Sequence, residues 1–145
     1  MPPEIKRDEH PRQLRFLVVE DNEDDREFLM RQLRKANVEE RAVFATDVRG
    51  ATDIFAVDSE RSIFAVFLDL HLRDGSGLDV LKELRSCAAT KQLPVFVLTG
   101  STNPADVEKC AAFGVMGYLQ KPVAFAEFCR AIASTFHLPS NVATV

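Results

Sequence analysis

Five polar residues stand where hydrophobic runs end. They are Glu20 and Asp21 after LRFLVV, Asp69 after SIFAVFL, Thr99 after PVFVL and Lys121 after GVMGYLQ. Strong acids, a hydroxyl and a lysine at the ends of buried segments are costly unless they converge on something. Three carboxylates brought together repel one another unless a cation screens them. Hard oxygen ligands suit Mg2+, which takes few protein ligands and keeps several waters. Asp21 and one Asp69 oxygen are expected as direct ligands, and Glu20 as a ligand acting partly through water. The backbone carbonyl of His71, just beyond Asp69, offers a further oxygen. Asp69 is the best nucleophile, because an aspartyl phosphate is an established covalent intermediate. Lys121 would pair with the phosphoryl group as a mobile point charge, and Thr99 would donate its hydroxyl to it. Gly100 leaves room for phosphoryl oxygens and offers a backbone N–H. The constellation reads as a metal-assisted phosphoryl-acceptor site.

The elements that must position these groups alternate along the chain. Leu14–Val19, Arg41–Thr46, Ile63–Leu68, Val95–Leu98 and Val115–Leu119 read as strands, mostly unbroken apolar runs. Helices are expected over Glu23–Ala36, capped by Asn22, and over Gly50–Val57, with Ala51, Ile54, Phe55 and Val57 facing inward. A turn is expected over Ser59–Ser62. Leu78, Leu81 and Leu84 mark a third helix ending near Ser86. A fourth runs from the Asn103 cap and Pro104 to about Phe113, where Gly114 stops it. A last helix runs from after Pro122 to about Phe136. On helix one, Phe28, Leu29, Leu33 and Ala36 recur at core-facing spacing. Asp69–Gly77 (DLHLRDGSG) reads as a loop. Apolar strands without polar alternation require a parallel sheet covered on both faces, so the expectation is an open three-layer α/β domain. Ligands of such folds sit at the carboxyl ends of the strands, where all five polar residues lie.

The whole chain sets bounds on function. Its 145 residues suit one domain, and 46% hydrophobic content is enough for a core. A net charge of −4 with scattered basic residues gives no footprint for nucleic acid. Cys87, Cys110 and Cys129 are odd in number, widely spaced and form no CxxC, which argues against a disulfide scaffold or zinc site. Cys129 is expected as a small core residue. The start lacks the apolar centre of a signal peptide, and no stretch reaches the length of a membrane span. A reduced, cytoplasmic protein is expected.

With those residues in place, the chain resembles the receiver domain of bacterial two-component response regulators. The segments that carry the resemblance are FLVVEDNEDDREFL, FLDLHLRDGSGLDVLKELR, PVFVLTGS and GYLQKPV, in the family's order and spacing, from about Leu14 to Phe136. The resemblance implies the doubly wound, flavodoxin-like three-layer sandwich with strand order 2-1-3-4-5. It implies a receiver over 13–137 between tails at 1–12 and 138–145. It implies that Glu20 and Asp21 hold Mg2+, that Asp69 is phosphorylated, and that Thr99 and Lys121 are the family's hydroxyl and lysine. Lys121–Pro122 is then the cis peptide site. Tyr118 is the switch aromatic that turns inward when Thr99 meets the phosphoryl group. The phosphodonor would be a sensor histidine kinase or a histidine phosphotransfer protein, with autodephosphorylation and no nucleic-acid or membrane partner. The face of the fourth helix, fifth strand and fifth helix is the family's signalling and dimerising face. The short segment after Phe136 leads to the expectation of a stand-alone receiver, of the chemotaxis-regulator or phytochrome-associated type. EDNEDD and LTGSTNPADV resemble regulators paired with bacteriophytochromes.

The chain departs from the family pattern at three places. Arg73 stands where the loop usually has proline, which predicts a less rigid loop with a positive charge near the site. Ser101, two beyond Thr99, is neither acid nor amide. His71 at the paired position either influences how water reaches the acyl phosphate or is an exposed histidine without a role. His71, Arg73 and Ser101 are therefore expected to modulate dephosphorylation. A phosphorylation-independent scaffold that keeps the fold for protein binding is the alternative function. An aspartyl-nucleophile phosphatase fits poorly, because the second acid such enzymes need two residues on is here His71.

Overall fold

The computed structural model describes residues 14–58, 62–100 and 104–135. The expected tails, the 59–61 part of the Ser59–Ser62 turn, Ser101, the Asn103 cap and Phe136 lie outside them. Strands β1 (Arg15–Val19), β2 (Ala42–Ala45), β3 (Ile63–Asp69), β4 (Val95–Thr99) and β5 (Gly117–Gln120) form one sheet in the order β2-β1-β3-β4-β5. Every pairing in it is parallel. Helices α1 (Glu23–Lys35), α2 (Val48–Val57), α3 (Gly77–Ser86), α4 (Pro104–Ala111) and α5 (Phe125–Thr135) connect and cover the strands. This is the open three-layer α/β architecture expected of the alternation, in the 2-1-3-4-5 strand order that the resemblance implies.

The unbroken apolar strands split their side chains between two cores. Leu17, Val19, Val66, Leu68, Val95 and Val97 face Ala51 of α2, Val80, Leu81 and Leu84 of α3, and Cys110 of α4. Phe16, Val18, Phe67, Phe96 and Leu98 face Leu29 and Leu33 of α1 and Phe128 and Ala131 of α5. On that second side the rings of Phe67 and Phe128 lie 4.5 Å apart, and Phe67 stacks on Phe96 at 5.2 Å. Burying each such side chain contributes about 1.5–3 kcal/mol, so the sheet is anchored from both faces. The site at its carboxyl edge thus rests on rigid elements.

Several elements differ from the sequence expectation. The second helix starts earlier, at Val48, because Asp47 caps it: Gly50 N–H donates to Asp47 Oδ1 at 2.7 Å. Val57 is 78% exposed and Phe28 is 37% exposed, so neither belongs to the inward face. Helix α4 stops at Ala111, with a turn carrying the chain to Gly114 at φ +71°. The last strand is Gly117–Gln120, not Val115–Leu119, because its register is set by Phe96–Thr99 of β4. Cys110 is buried and Cys129 half-buried.

The loop expected over Asp69–Gly77 is more ordered than its composition suggests. Asp69 itself ends β3, and His71–Leu72 pairs antiparallel with Gly75–Ser76 in a short ribbon. Asp74 at its tip accepts the N–H groups of Val48 at 2.8 Å and Arg49 at 3.3 Å, tying the ribbon to α2. Ser76 and Asp79 then make a capping box at the start of α3. Gly77 is dictated by close approach, since a Cβ there would strike the Asp69 carbonyl oxygen and the Leu70 Cα.

Candidate phosphoacceptor site

The parallel order brings the ends of β1, β3, β4 and β5 to one edge. Glu20 follows β1, and its N–H extends the ladder to the Ala45 carbonyl at 2.9 Å. Glu20 and Asp69 are 2% and 4% exposed, so both carboxyl groups have left bulk water. Oxygens of Glu20, Asp21 and Asp69 lie within 4.8 Å of one another. Lys121 is delivered beside them by its backbone N–H, which donates to the Thr99 carbonyl at 2.8 Å. The Lys121–Pro122 peptide is cis.

Lys121 is the positive counterpart of the acids. Its Nζ donates to Glu20 Oε1 at 2.9 Å, Asp69 Oδ2 at 2.9 Å and Asp25 Oδ2 at 3.0 Å. The other Asp69 oxygen, Oδ1, accepts the His71 backbone N–H at 3.0 Å. Glu20 Oε2 accepts the Asn22 N–H at 3.1 Å, and the Glu20 carbonyl accepts Arg26 Nη1 at 3.0 Å. Each oxygen of Asp69 is therefore held by a donor, which fixes the orientation of the group.

The two buried acids titrate apart. Burial, followed by the hydrogen bond with Asp69, raises Glu20 to about 7, against the opposing pull of Lys121. Burial also acts to raise Asp69, but hydrogen bonds from Glu20, the His71 N–H and Lys121 outweigh it and leave Asp69 below the usual carboxylate range. Of the two, Glu20 is pushed toward its protonated form and Asp69 toward its ionised form. Burial lowers Lys121, but its bonds to Asp69, Glu20 and Asp25 more than reverse this, so the amine stays charged.

The remaining predicted residues lie around this centre. Thr99 ends β4 opposite Gln120 of β5. Gly100 lines the open cleft with Asp21, Asp69 and Lys121, and a Cβ there would meet nothing within 4 Å. The Tyr118 hydroxyl donates to the Val107 carbonyl of α4 at 3.0 Å, and the residue is 36% exposed. The His71 side chain is exposed, its Nε2 3.7 Å from Asp106 Oδ2 of α4. Arg73 stands at the ribbon tip beside Asp74. Sequence reasoning missed Asp25.

The donor set fits a hard divalent cation: three carboxylates, all oxygen, two of them buried, and no nitrogen or sulfur ligand among them.

Five parallel strands that deliver acids, a hydroxyl and a lysine to one edge define a receiver-type domain. The chain belongs to the response regulator receiver domain family, whose model matches residues 16–133. Among its relatives, the sensory/regulatory protein RpfC of Xanthomonas campestris pv. campestris is 34% identical over 140 residues, 92% of this chain and 19% of that protein. The chain thus spans about a fifth of the length of that relative. The bacteriophytochrome response regulator AtBRR superposes with a TM-score of 0.75 at 31% identity, over 87% of this chain and 94% of that one. Response regulator Rcp1, solved in an Mn(2+)-bound form, superposes with a TM-score of 0.65 at 28% identity, over 77% of this chain and 81% of that one. Among the described residues no helix is long and apolar enough to cross a membrane.

Proposed function

We propose that the protein accepts a phosphoryl group on Asp69 from the phosphohistidine of a sensor histidine kinase or a histidine phosphotransfer protein. The observation that carries this reading is the state of Asp69. It is buried and gripped at one oxygen by the His71 N–H and at the other by Lys121. A carboxylate oxygen of Asp69 attacks phosphorus, an O–P bond forms, the P–N bond breaks, and the imidazole leaves with its electron pair. Lys121 meets the added negative charge, and Thr99 donates its hydroxyl to the phosphoryl group. Mg2+, held by Glu20, Asp21, Asp69 and the His71 carbonyl, would neutralise charge that develops on the phosphoryl oxygens. The Mn(2+)-bound neighbour supports a divalent cation at these acids.

Downstream, Thr99 and Tyr118 are proposed as the switch pair. Tyr118 is bonded to α4, so movement of Thr99 toward the phosphoryl group has a route to the α4–β5–α5 face. That face is the proposed site of a phosphorylation-controlled homodimer. A bacteriophytochrome kinase is the favoured donor, on the likeness to AtBRR. His71, Arg73 and Ser101 are proposed to tune dephosphorylation.

The test uses acetyl phosphate as a small phosphodonor, read by intact mass. Wild type gains one phosphoryl group with Mg2+ and none with EDTA. Asp69→Asn gains none, and Asp21→Ala requires far more Mg2+. Folded wild type that stays unmodified sinks the reading and favours a scaffold.

A further inference from the structure

The Lys121 ammonium has three N–H donors, and each one points at a different acid. The acids are not equivalent. Glu20 and Asp69 belong, with Asp21, to the group whose oxygens lie within 4.8 Å of one another; Asp25 is not in that group. The oxygens of Glu20 and Asp69 have two claimants, Lys121 and a cation shared with Asp21. The Asp25 contact has one.

Burial divides them in the same way. The Glu20 and Asp69 side chains are 2% and 6% exposed, whereas that of Asp25 is 38% exposed, at the mouth of the cleft. Both partners of the outer contact are anchored. The Asp25 backbone is fixed by the Asn22 cap, through its N–H to Asn22 Oδ1 at 2.9 Å. Lys121 is fixed by its own N–H to Thr99.

We propose that Asp25 is a positioning residue for phosphoryl transfer. It holds the Lys121 ammonium at the cleft mouth, facing the incoming phosphoryl group, whenever Glu20 and Asp69 are drawn to the cation or to the new O–P bond. This rests on the reading of Asp69 as the acceptor. It also ties the first turn of α1 to the occupancy of the site, because the same ammonium touches both.

The experiment measures the rate of phosphorylation by acetyl phosphate at saturating Mg2+ in the full chain, by intact mass. Wild type, Asp25→Asn, Asp25→Glu, Lys121→Ala and the Asp25→Asn/Lys121→Ala double variant are compared, each checked for folding by circular dichroism. Asp25→Asn slows the reaction about three- to tenfold, the size expected for loss of one partly exposed charge contact that orients a reacting group. Asp25→Glu restores most of the rate. In the Lys121→Ala background Asp25→Asn changes nothing further, which a general structural defect would not reproduce. The proposal is overturned if Asp25→Asn reacts at the wild-type rate, if Asp25→Glu is as slow as Asp25→Asn, or if the two substitutions slow the reaction by multiplying factors. Folded wild type that takes up no phosphoryl group is a different failure, that of Asp69 as acceptor.

Discussion

The two ends of the same sheet handle charge in opposite ways. At the amino ends of the strands, Arg85 donates from Nε to the Phe113 carbonyl at 2.7 Å and from Nη2 to the Gly114 carbonyl at 3.2 Å. Its Nη1 donates to the carbonyls of Lys91 at 3.1 Å and Leu93 at 2.9 Å. Nearby, Asp58 accepts the N–H groups of Ser62 and Ile63, each at 3.0 Å, and the Ser62 hydroxyl at 2.8 Å. Arg15 closes that knot on Ser62 Oγ at 2.9 Å. At the carboxyl ends, Glu20, Asp25 and Asp69 share one lysine, and Asp21 stands beside them. The first arrangement pairs charge with fixed dipoles and is complete by itself. The second leaves an excess of negative charge in a partly dry place, which only a cation or a change of protonation relieves. A satisfied network holds the fold; an unbalanced one is poised for chemistry.

The contrast can be broken by substitution. Arg85→Ala should have the largest effect, lowering stability by about 2–3 kcal/mol as several carbonyl partners are lost. Urea denaturation measures this, and Mg2+-dependent phosphorylation of the folded fraction should not change. Loss of phosphorylation without loss of stability would erase the distinction between the two ends.

Glu20→Gln should act in the other direction. Folding raises the Glu20 pKa from 4.5 to about 7, so the folded state binds more protons than the unfolded state between those values. The stability this provides is present at low pH and is lost as pH rises through about 7. Above that pH, in EDTA, Glu20→Gln should be more stable than wild type by on the order of 1–2 kcal/mol, with a flatter pH profile. A destabilised variant would contradict an excess of charge at this end.

Asp58→Asn should show the smallest effect, a loss of about 1 kcal/mol. Burial works to raise the Asp58 pKa, but the Ile63 and Ser62 N–H groups, the Ser62 hydroxyl and the Arg15 charge outweigh it and leave it lowered from 3.8. Its contribution is therefore present above 3.8 and lost as pH falls below that value. Thermal melts in acid should show that wild type loses more stability there than Asp58→Asn does. Opposite pH slopes from Asp58 and Glu20 would sharpen the comparison.

The sheet was legible in the sequence because a parallel strand buried on both faces has to be apolar throughout, and FLVV, IFAVFL and VFVL are. The chemical residues were legible for a related reason: a charge directly after such a run falls at the sheet edge. Asp25 was not legible. Its partner lies 96 residues away, and an acid in the first turn of a helix is already explained by the helix dipole. Arg85 was hidden in the same way, its Phe113 and Gly114 partners being 28 and 29 residues on. The ribbon after Asp69 was invisible because two-residue strands have no periodicity. Phe28 and Val57 were misplaced because helical spacing defines a stripe but not its edge. The start of α2 was placed late because Asp47, Arg49 and Gly50 together blur it.

The central claim is that Asp69 is the group that takes the phosphoryl. The most direct measurement is site mapping. The protein is treated with acetyl phosphate and Mg2+, the acyl phosphate is reduced with borohydride, and the peptides are sequenced by mass spectrometry. Reduction converts a phosphorylated aspartate to homoserine and leaves free carboxylates untouched. The account predicts homoserine at position 69 alone, and none when Mg2+ is withheld. Homoserine at position 21 or 25, or an unreduced Asp69 in folded protein, would contradict it.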